Sequence, residues 1–175
     1  MEVKVIDNFL PQSLFEQLQE TIVYNARFPL YFQKYVSHDI SLKLDKNQGQ
    51  PWNWYATHEF YNKDAPTSGW CQDIVEIFVP RFQEIGNFKS LMRIKANFYP
   101  HTETLREHSR HIDYDFSSHA AIYSLNTCDG FTRLSDGTKI DSVANRMLFF
   151  DGGDNHNSST TTDQMGRYNI NFNYL

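Results

Sequence analysis

The pattern of apolar and polar residues changes period near Ser90. Before Ser90 helical spacing appears in two segments, separated by a stretch without a period. Val3–Ile6 alternates and predicts a short edge strand. Pro11 then opens a helix as its first residue, with Leu14, Phe15, Leu18 and Ile22 on one stripe. From Arg27 to Pro66 no period holds. That stretch is dense in aromatics, among them Phe28, Tyr31, Trp52, Trp54 and Tyr55, and reads as a lid over a site or a cover for a sheet. Ser68 is placed to cap a second helix, with Trp70, Ile74, Ile77 and Phe78 on its apolar stripe. Pro80 should kink or end that helix near Val79, and Gly86-Asn87 closes the region.

After Ser90 the period is two. Leu91–Tyr99 sets Met92, Ile94, Ala96 and Phe98 against Arg93, Lys95, Asn97 and Tyr99. His119–Leu125, Phe131–Leu134, Thr138–Ile140, Asn145–Phe150 and Tyr168–Tyr174 predict further strands, and Asp136-Gly137 predicts a hairpin turn. In the last strand, Arg167, Asn169, Asn171 and Asn173 alternate with Tyr168, Ile170, Phe172 and Tyr174. A face of Asn and Arg, with no Thr, Lys or Glu, suits a polar wall inside a wet cavity, the alternative being an ordinary solvent-facing face. Helices followed by many short strands predict an α+β chain whose second half is a jelly-roll sandwich.

The chain has 175 residues, the length of one domain. We expect residues 1–90 to supply helical support and the aromatic region, and 91–175 to form the core that carries the site. A net charge of −5 argues against a broad basic face for nucleic acid. Cys71 and Cys128 form no CxxC pair, so neither a disulfide framework nor a cysteine zinc site is expected. The opening residues lack a signal-peptide core and no apolar run is long enough to span a membrane, which together suggest a cytoplasmic setting.

The candidate chemistry lies in the last third. His111-Ile112-Asp113 is a His-x-Asp pair; His156 follows a predicted strand and Arg167 opens the final one. Two His and one carboxylate on one face of an octahedral metal leave three positions open, the arrangement of non-haem Fe(II) oxygenases. A cation beyond the second His suits the far carboxylate of a 2-oxoacid. Asp115 is the competing carboxylate, read here as a turn or supporting group. His38, His58, His101, His108 and His119 are read as structural or surface residues. Asn97 and Tyr99 share a strand face and are candidates to bond a co-substrate.

In order and type, Asn97-Phe-Tyr-Pro100, His111-Ile-Asp113, Ala121-Ile-Tyr-Ser-Leu-Asn126, Asn145-Arg-Met-Leu-Phe-Phe150, His156 and Gly166-Arg167 resemble the Fe(II)/2-oxoglutarate-dependent oxygenases. Within them the resemblance is to the prolyl-4-hydroxylase-like branch, in its short single-domain form, and it covers most of the chain. It implies a double-stranded β-helix with N-terminal helices packed on one sheet. It also implies Fe(II) held by His111, Asp113 and His156, and 2-oxoglutarate held by Arg167 and Tyr99, with O2 as the oxidant. The branch often carries a second Tyr where this chain has Ser124. That departure shifts the expected co-substrate contact to Tyr123 or opens room at Ser124.

The implied reaction is hydroxylation of a C–H bond with release of succinate and CO2. Its substrate would be a prolyl residue of a peptide or protein, or else a small metabolite or an alkylated base. A reading of another class is a non-catalytic jelly-roll module that holds a structural metal or none. A cupin fits less well, because the expected His-x-His and Glu are missing.

Overall fold

A computed structural model describes residues 2–36, 47, 49–86 and 88–175. The expectations placed on His38, on Asn87 and on the middle of the aromatic stretch lie outside these residues. The elements in chain order are β1 (Lys4–Ile6), α1 (Gln12–Ile22), β2 (Tyr31–Gln33), β3 (Tyr55–Asn62), β4 (Ala65–Pro66) and α2 (Cys71–Ile85). They continue with β5 (Leu91–Pro100), β6 (His119–Ser124), β7 (Phe131–Arg133), β8 (Lys139–Asp141), β9 (Arg146–Asp151), β10 (Asn157–Ser158) and β11 (Gly166–Tyr174).

The strands form two antiparallel sheets. The larger has the order β1-β9-β6-β11-β5-β3-β2, with β4 paired to β3; the smaller is β10-β7-β8. The apolar stripes of α1 and α2 cover one face of the large sheet. Phe15, Leu18, Ile74, Phe78 and Phe82 pack there against Ile94, Tyr123, Phe149, Ile170 and Phe172. The opposite face meets the small sheet through a second cluster of Ala120, Ile122, Leu134, Leu148 and Phe150. The expected α+β jelly roll is therefore present, with its helices on one sheet.

Several local expectations need correction. Pro11 caps α1 from outside, and its carbonyl accepts from the N–H groups of Leu14 and Phe15 at 3.0 and 3.1 Å. α2 begins at Cys71, after Ser68, whose Oγ is taken up by the Trp70 N–H and the His58 ring. Pro80 does not end α2, which runs on to Ile85. Pro80 is exposed, on the solvent side where the carbonyl it strands can be hydrated. Two residues on, Phe82 is fully buried against Phe149, Phe172 and Tyr174, and this packing holds the helix together past the proline.

The larger correction is β3. The N-terminal half supplies part of the main sheet as well as helices and cover. In β3, Ala56, Thr57 and His58 are all buried, so no alternation marks the strand, and a register shift between Glu59 and Tyr61 breaks its period further. Around it, Trp52 packs on His108, Trp54 on Phe98 and Tyr55 on Tyr99, so these three rings cover the sheet, whereas Tyr31 and Phe32 are exposed. The predicted Asp136-Gly137 turn joins β7 to β8, with Gly137 at φ +91°. No helix among the described residues is long and apolar enough to cross a membrane.

Candidate metal centre

The site is built on the pairing of β5 with β11. Their antiparallel register sets Arg93 opposite Asn173, Lys95 opposite Asn171, Asn97 opposite Asn169 and Tyr99 opposite Arg167. Side chains two apart share a face, so these four pairs form a polar ladder between the sheets. At its middle Asn97 Nδ2 donates to Asn169 Oδ1 at 3.0 Å.

The metal-ligand candidates come from segments that close over this ladder. His111 and His156 exchange two backbone hydrogen bonds, each 2.9 Å. Their rings stand 4.5 Å apart at centroid. Asp113 N–H donates to the Gly152 carbonyl, which turns its side chain to the same place. Ligand atoms of His111, Asp113 and His156 all lie within 4.8 Å of one another, the one such cluster among the described residues. Nδ1 of His156 faces the Asp154 carbonyl at 3.0 Å, and Nδ1 of His111 faces the Ser109 carbonyl at 3.4 Å. Each carbonyl favours N–H on Nδ1 and leaves the Nε2 lone pair for a metal.

Burial, together with repulsion from His156, pushes His111 down to about 3. Burial alone would raise the Asp113 carboxyl, but His156, Arg93 and His111 hold it well below the usual carboxylate range. Asp113 is also clamped. Its Oδ1 accepts from Arg93 Nη2 at 3.0 Å, and its Oδ2 accepts from Asn173 Nδ2 at 2.8 Å. Arg93 in turn donates to Asn173 Oδ1 from Nε and Nη2 at 3.1 and 2.9 Å. Each carboxylate oxygen keeps a second lone pair, so the clamp orients Asp113 without using up its ligand capacity. Asp115 is exposed and takes no part.

Arg167 lies at the other end of the ladder and is 1% exposed. Its Nη2 donates to Thr132 Oγ1 at 2.9 Å, whereas Nε and Nη1 have no protein partner. No carboxylate lies within ion-pair distance of it among the described residues. Burial disfavours its charge, and an uncompensated buried guanidinium is costly unless an anion meets it. Gly130 makes room for it: a Cβ there would come within 2.8 Å of Arg167 Cδ. The guanidinium carbon sits 5.5 Å from the centroid of the Tyr99 ring. Burial raises the Tyr99 phenol, keeping it a donor. A dicarboxylate chelating a metal at the triad, with its far end on Nε and Nη1, fits this donor set.

Two co-substrate expectations fare differently. Ser124 stands opposite Asn169 on the site side of the sheet. Tyr123 points the other way, into the core under the helices, where its hydroxyl donates to Asn145 Oδ1 at 2.7 Å. Successive strand residues face opposite sides, so Tyr123 cannot reach the co-substrate. Tyr55, Ile122, Thr132 and Ser158 also line the cavity. Tyr55 belongs to the stretch expected to be a lid or a cover, whereas Ile122, Thr132 and Ser158 were not expected at the site, Thr132 and Ser158 arriving from the small sheet.

No family model and no curated protein matches the chain. Solved structures do. A Pseudomonas putida prolyl-4-hydroxylase is 16% identical at a TM-score of 0.65, over 98% of this chain and 91% of the other. A Trichoplax adhaerens prolyl hydroxylase, in complex with a hypoxia inducible factor oxygen degradation domain peptide fragment, is 18% identical at 0.67, over 99% and 83%. The non-haem α-ketoglutarate-dependent epimerase SnoN of nogalamycin biosynthesis is 12% identical at 0.68, over 99% and 77%. The chain has the fold of the 2-oxoglutarate/Fe(II) oxygenases. At these identities the likeness carries the fold; the chemistry rests on the site.

Proposed function

We propose that this protein is an Fe(II)- and 2-oxoglutarate-dependent oxygenase that hydroxylates a C–H bond of an organic substrate, acting as one domain over residues 1–175. The observation that carries the reading is Arg167: a buried guanidinium with two unsatisfied N–H groups, in the same cavity as a His-Asp-His cluster. A non-catalytic jelly roll has no reason to bury such a cation.

His111, Asp113 and His156 would hold the iron. Bound iron with 2-oxoglutarate supplies oxygen activation coupled to decarboxylation, releasing succinate and CO2. The side chains provide placement and protonation state. His111 is held neutral and Asp113 ionised, so both are ready to ligate at neutral pH. Arg93 and Asn173 fix the Asp113 carboxylate. Arg167 takes the far carboxylate of 2-oxoglutarate, with Thr132 fixing the guanidinium from behind. Tyr99, beside Arg167, is placed to donate to the same carboxylate.

A prolyl residue in a peptide is the substrate suggested by the first two likenesses, one of them solved with a peptide fragment. The epimerase likeness supports a small molecule on the same fold. Succinate formation that requires both Fe(II) and 2-oxoglutarate, followed across a proline-rich peptide, a methylated oligonucleotide and small metabolites, tests the reading. A folded, metal-loaded protein that neither binds nor consumes 2-oxoglutarate would return the non-catalytic module.

A further inference from the structure

The ladder holds three cations, and only two have work in the proposed reaction. Arg93 clamps Asp113 and Arg167 meets 2-oxoglutarate. The third is Lys95, on the rung between Arg93 and Asn97. Its ammonium forms no ion pair and no hydrogen bond among the described residues; it lies over the face of the Tyr55 ring, 5.5 Å from the centroid, and feels the Asp113 and Glu59 carboxylates only at longer range. Glu59 is its register partner across β3, but that carboxylate takes the Asn62 amide and makes no ion pair with Lys95. Opposite Lys95 in β11, the Asn171 Oδ1 is buried without a partner.

Lys95 stands on the rung next to the Arg93–Asn173 clamp of Asp113 and two rungs from Arg167. Lys95 and Tyr55 line both the site cavity and a groove that adjoins it, where Tyr31, Thr57, Glu59 and Arg93 join them. A molecule reaching the triad from that groove passes the ammonium. Charge points the same way. The charges of Fe(II) and 2-oxoglutarate cancel, Asp113 matches Arg93, and Glu59 at the groove offsets one of Arg167 and Lys95, so the loaded site keeps one positive charge. Burial pushes Lys95 down to about 8, a cost that a bound anion would relieve.

We propose that Lys95 anchors a carboxylate of the substrate, which makes the substrate an organic acid oxidised at a C–H bond on the side facing the triad. This rests on the oxygenase reading above and narrows it. Asn171 would accept a hydrogen bond from a donor on the same substrate, such as a hydroxyl or amide N–H. The carboxylate belongs to a free small acid or to an acidic side chain or C-terminus of a peptide. The groove chemistry is the same for each.

The test uses pairs of one skeleton as acid and amide: N-acetyl amino acids against their carboxamides, and short peptides with a free against an amidated C-terminus. Binding is read by thermal shift with Mn(II), with and without 2-oxoglutarate. Acids should bind more tightly than their amides by about tenfold or more, the weight of a hydrogen-bonded charge pair. Lys95→Met should remove that preference while leaving the 2-oxoglutarate shift unchanged, and Lys95→Arg should keep it. Peptide acids alone responding would locate the carboxylate on a peptide, and small acids alone on a metabolite. No acid preferred over its amide, or a preference that survives Lys95→Met, overturns the assignment. Acid preference without any 2-oxoglutarate shift would keep the role of Lys95 and sink the oxygenase reading instead.

Discussion

Arg167→Met is the most informative single substitution. Methionine fills much of the guanidinium's volume without its charge, and the change lies at the opposite end of the ladder from Asp113. The lost contacts are the bond to Thr132 and the two free N–H groups offered to a carboxylate. Removing one partner of a buried charge pair costs ~3 kcal/mol, roughly 150-fold in Kd. With 2-oxoglutarate at a hundred times the wild-type Kd, binding stabilises the parent by ~2.7 kcal/mol. For a domain of this size that is a rise of about 5–11 °C in Tm. In the variant the same concentration lies below Kd and adds ~0.3 kcal/mol, about 1 °C. Differential scanning fluorimetry with Mn(II), which avoids turnover, reads both proteins, and the shift from Mn(II) alone should be the same in each. A variant that keeps the full 2-oxoglutarate shift refutes the role given to Arg167, and one that loses the Mn(II) shift refutes the separation of the two sites.

Three further outcomes are expected. Asp113→Asn should weaken metal binding severely while Asp115→Asn leaves it unchanged; isothermal titration with Mn(II) reads this, and the reverse result would mean the wrong carboxylate was chosen. Asn173→Ala and Arg93→Met unclamp Asp113 and should each cost about 10–100-fold in metal affinity by the same titration, since supporting partners of metal ligands carry that weight; unchanged affinity in both would show the clamp to be incidental. The metal-free protein should lose stability as pH falls from about 6.5 towards 3, because folded His111 resists the proton that the unfolded chain accepts, with a slope of up to ~1.4 kcal/mol per pH unit from this group. His111→Asn should flatten that slope against wild type in pH-dependent melting, and an unchanged slope would show that other groups carry it.

Much of the site was legible because it rests on short-range rules. Period two placed Arg93, Lys95, Asn97 and Tyr99 on one face, and the unusual run of Asn in β11 marked the wall they meet. His111 and Asp113 face one place through the same parity, although the segment that carries them joins the fold through isolated bridges. The same parity argued against Tyr123, since its neighbours Ile122 and Ser124 face the site and the residue between them cannot; family resemblance pulled the reading the wrong way. What was not legible depends on register and on both faces being covered. The clamp of Arg93 and Asn173 on Asp113 exists only in the pairing of β5 with β11. β3 hides its period because helices and cavity bury it from both sides. Pro80 misled because the cost of a helix proline is local, whereas the packing of Phe82 that outweighs it is tertiary.

The central claim is that His111, Asp113 and His156 hold an iron to which 2-oxoglutarate chelates. Its most direct test is the visible absorption of the anaerobic protein with Fe(II) and 2-oxoglutarate. The account predicts a metal-to-ligand charge-transfer band in wild type that is absent in His111→Ala. A folded wild type with no such band, or a band that persists without His111, would contradict it.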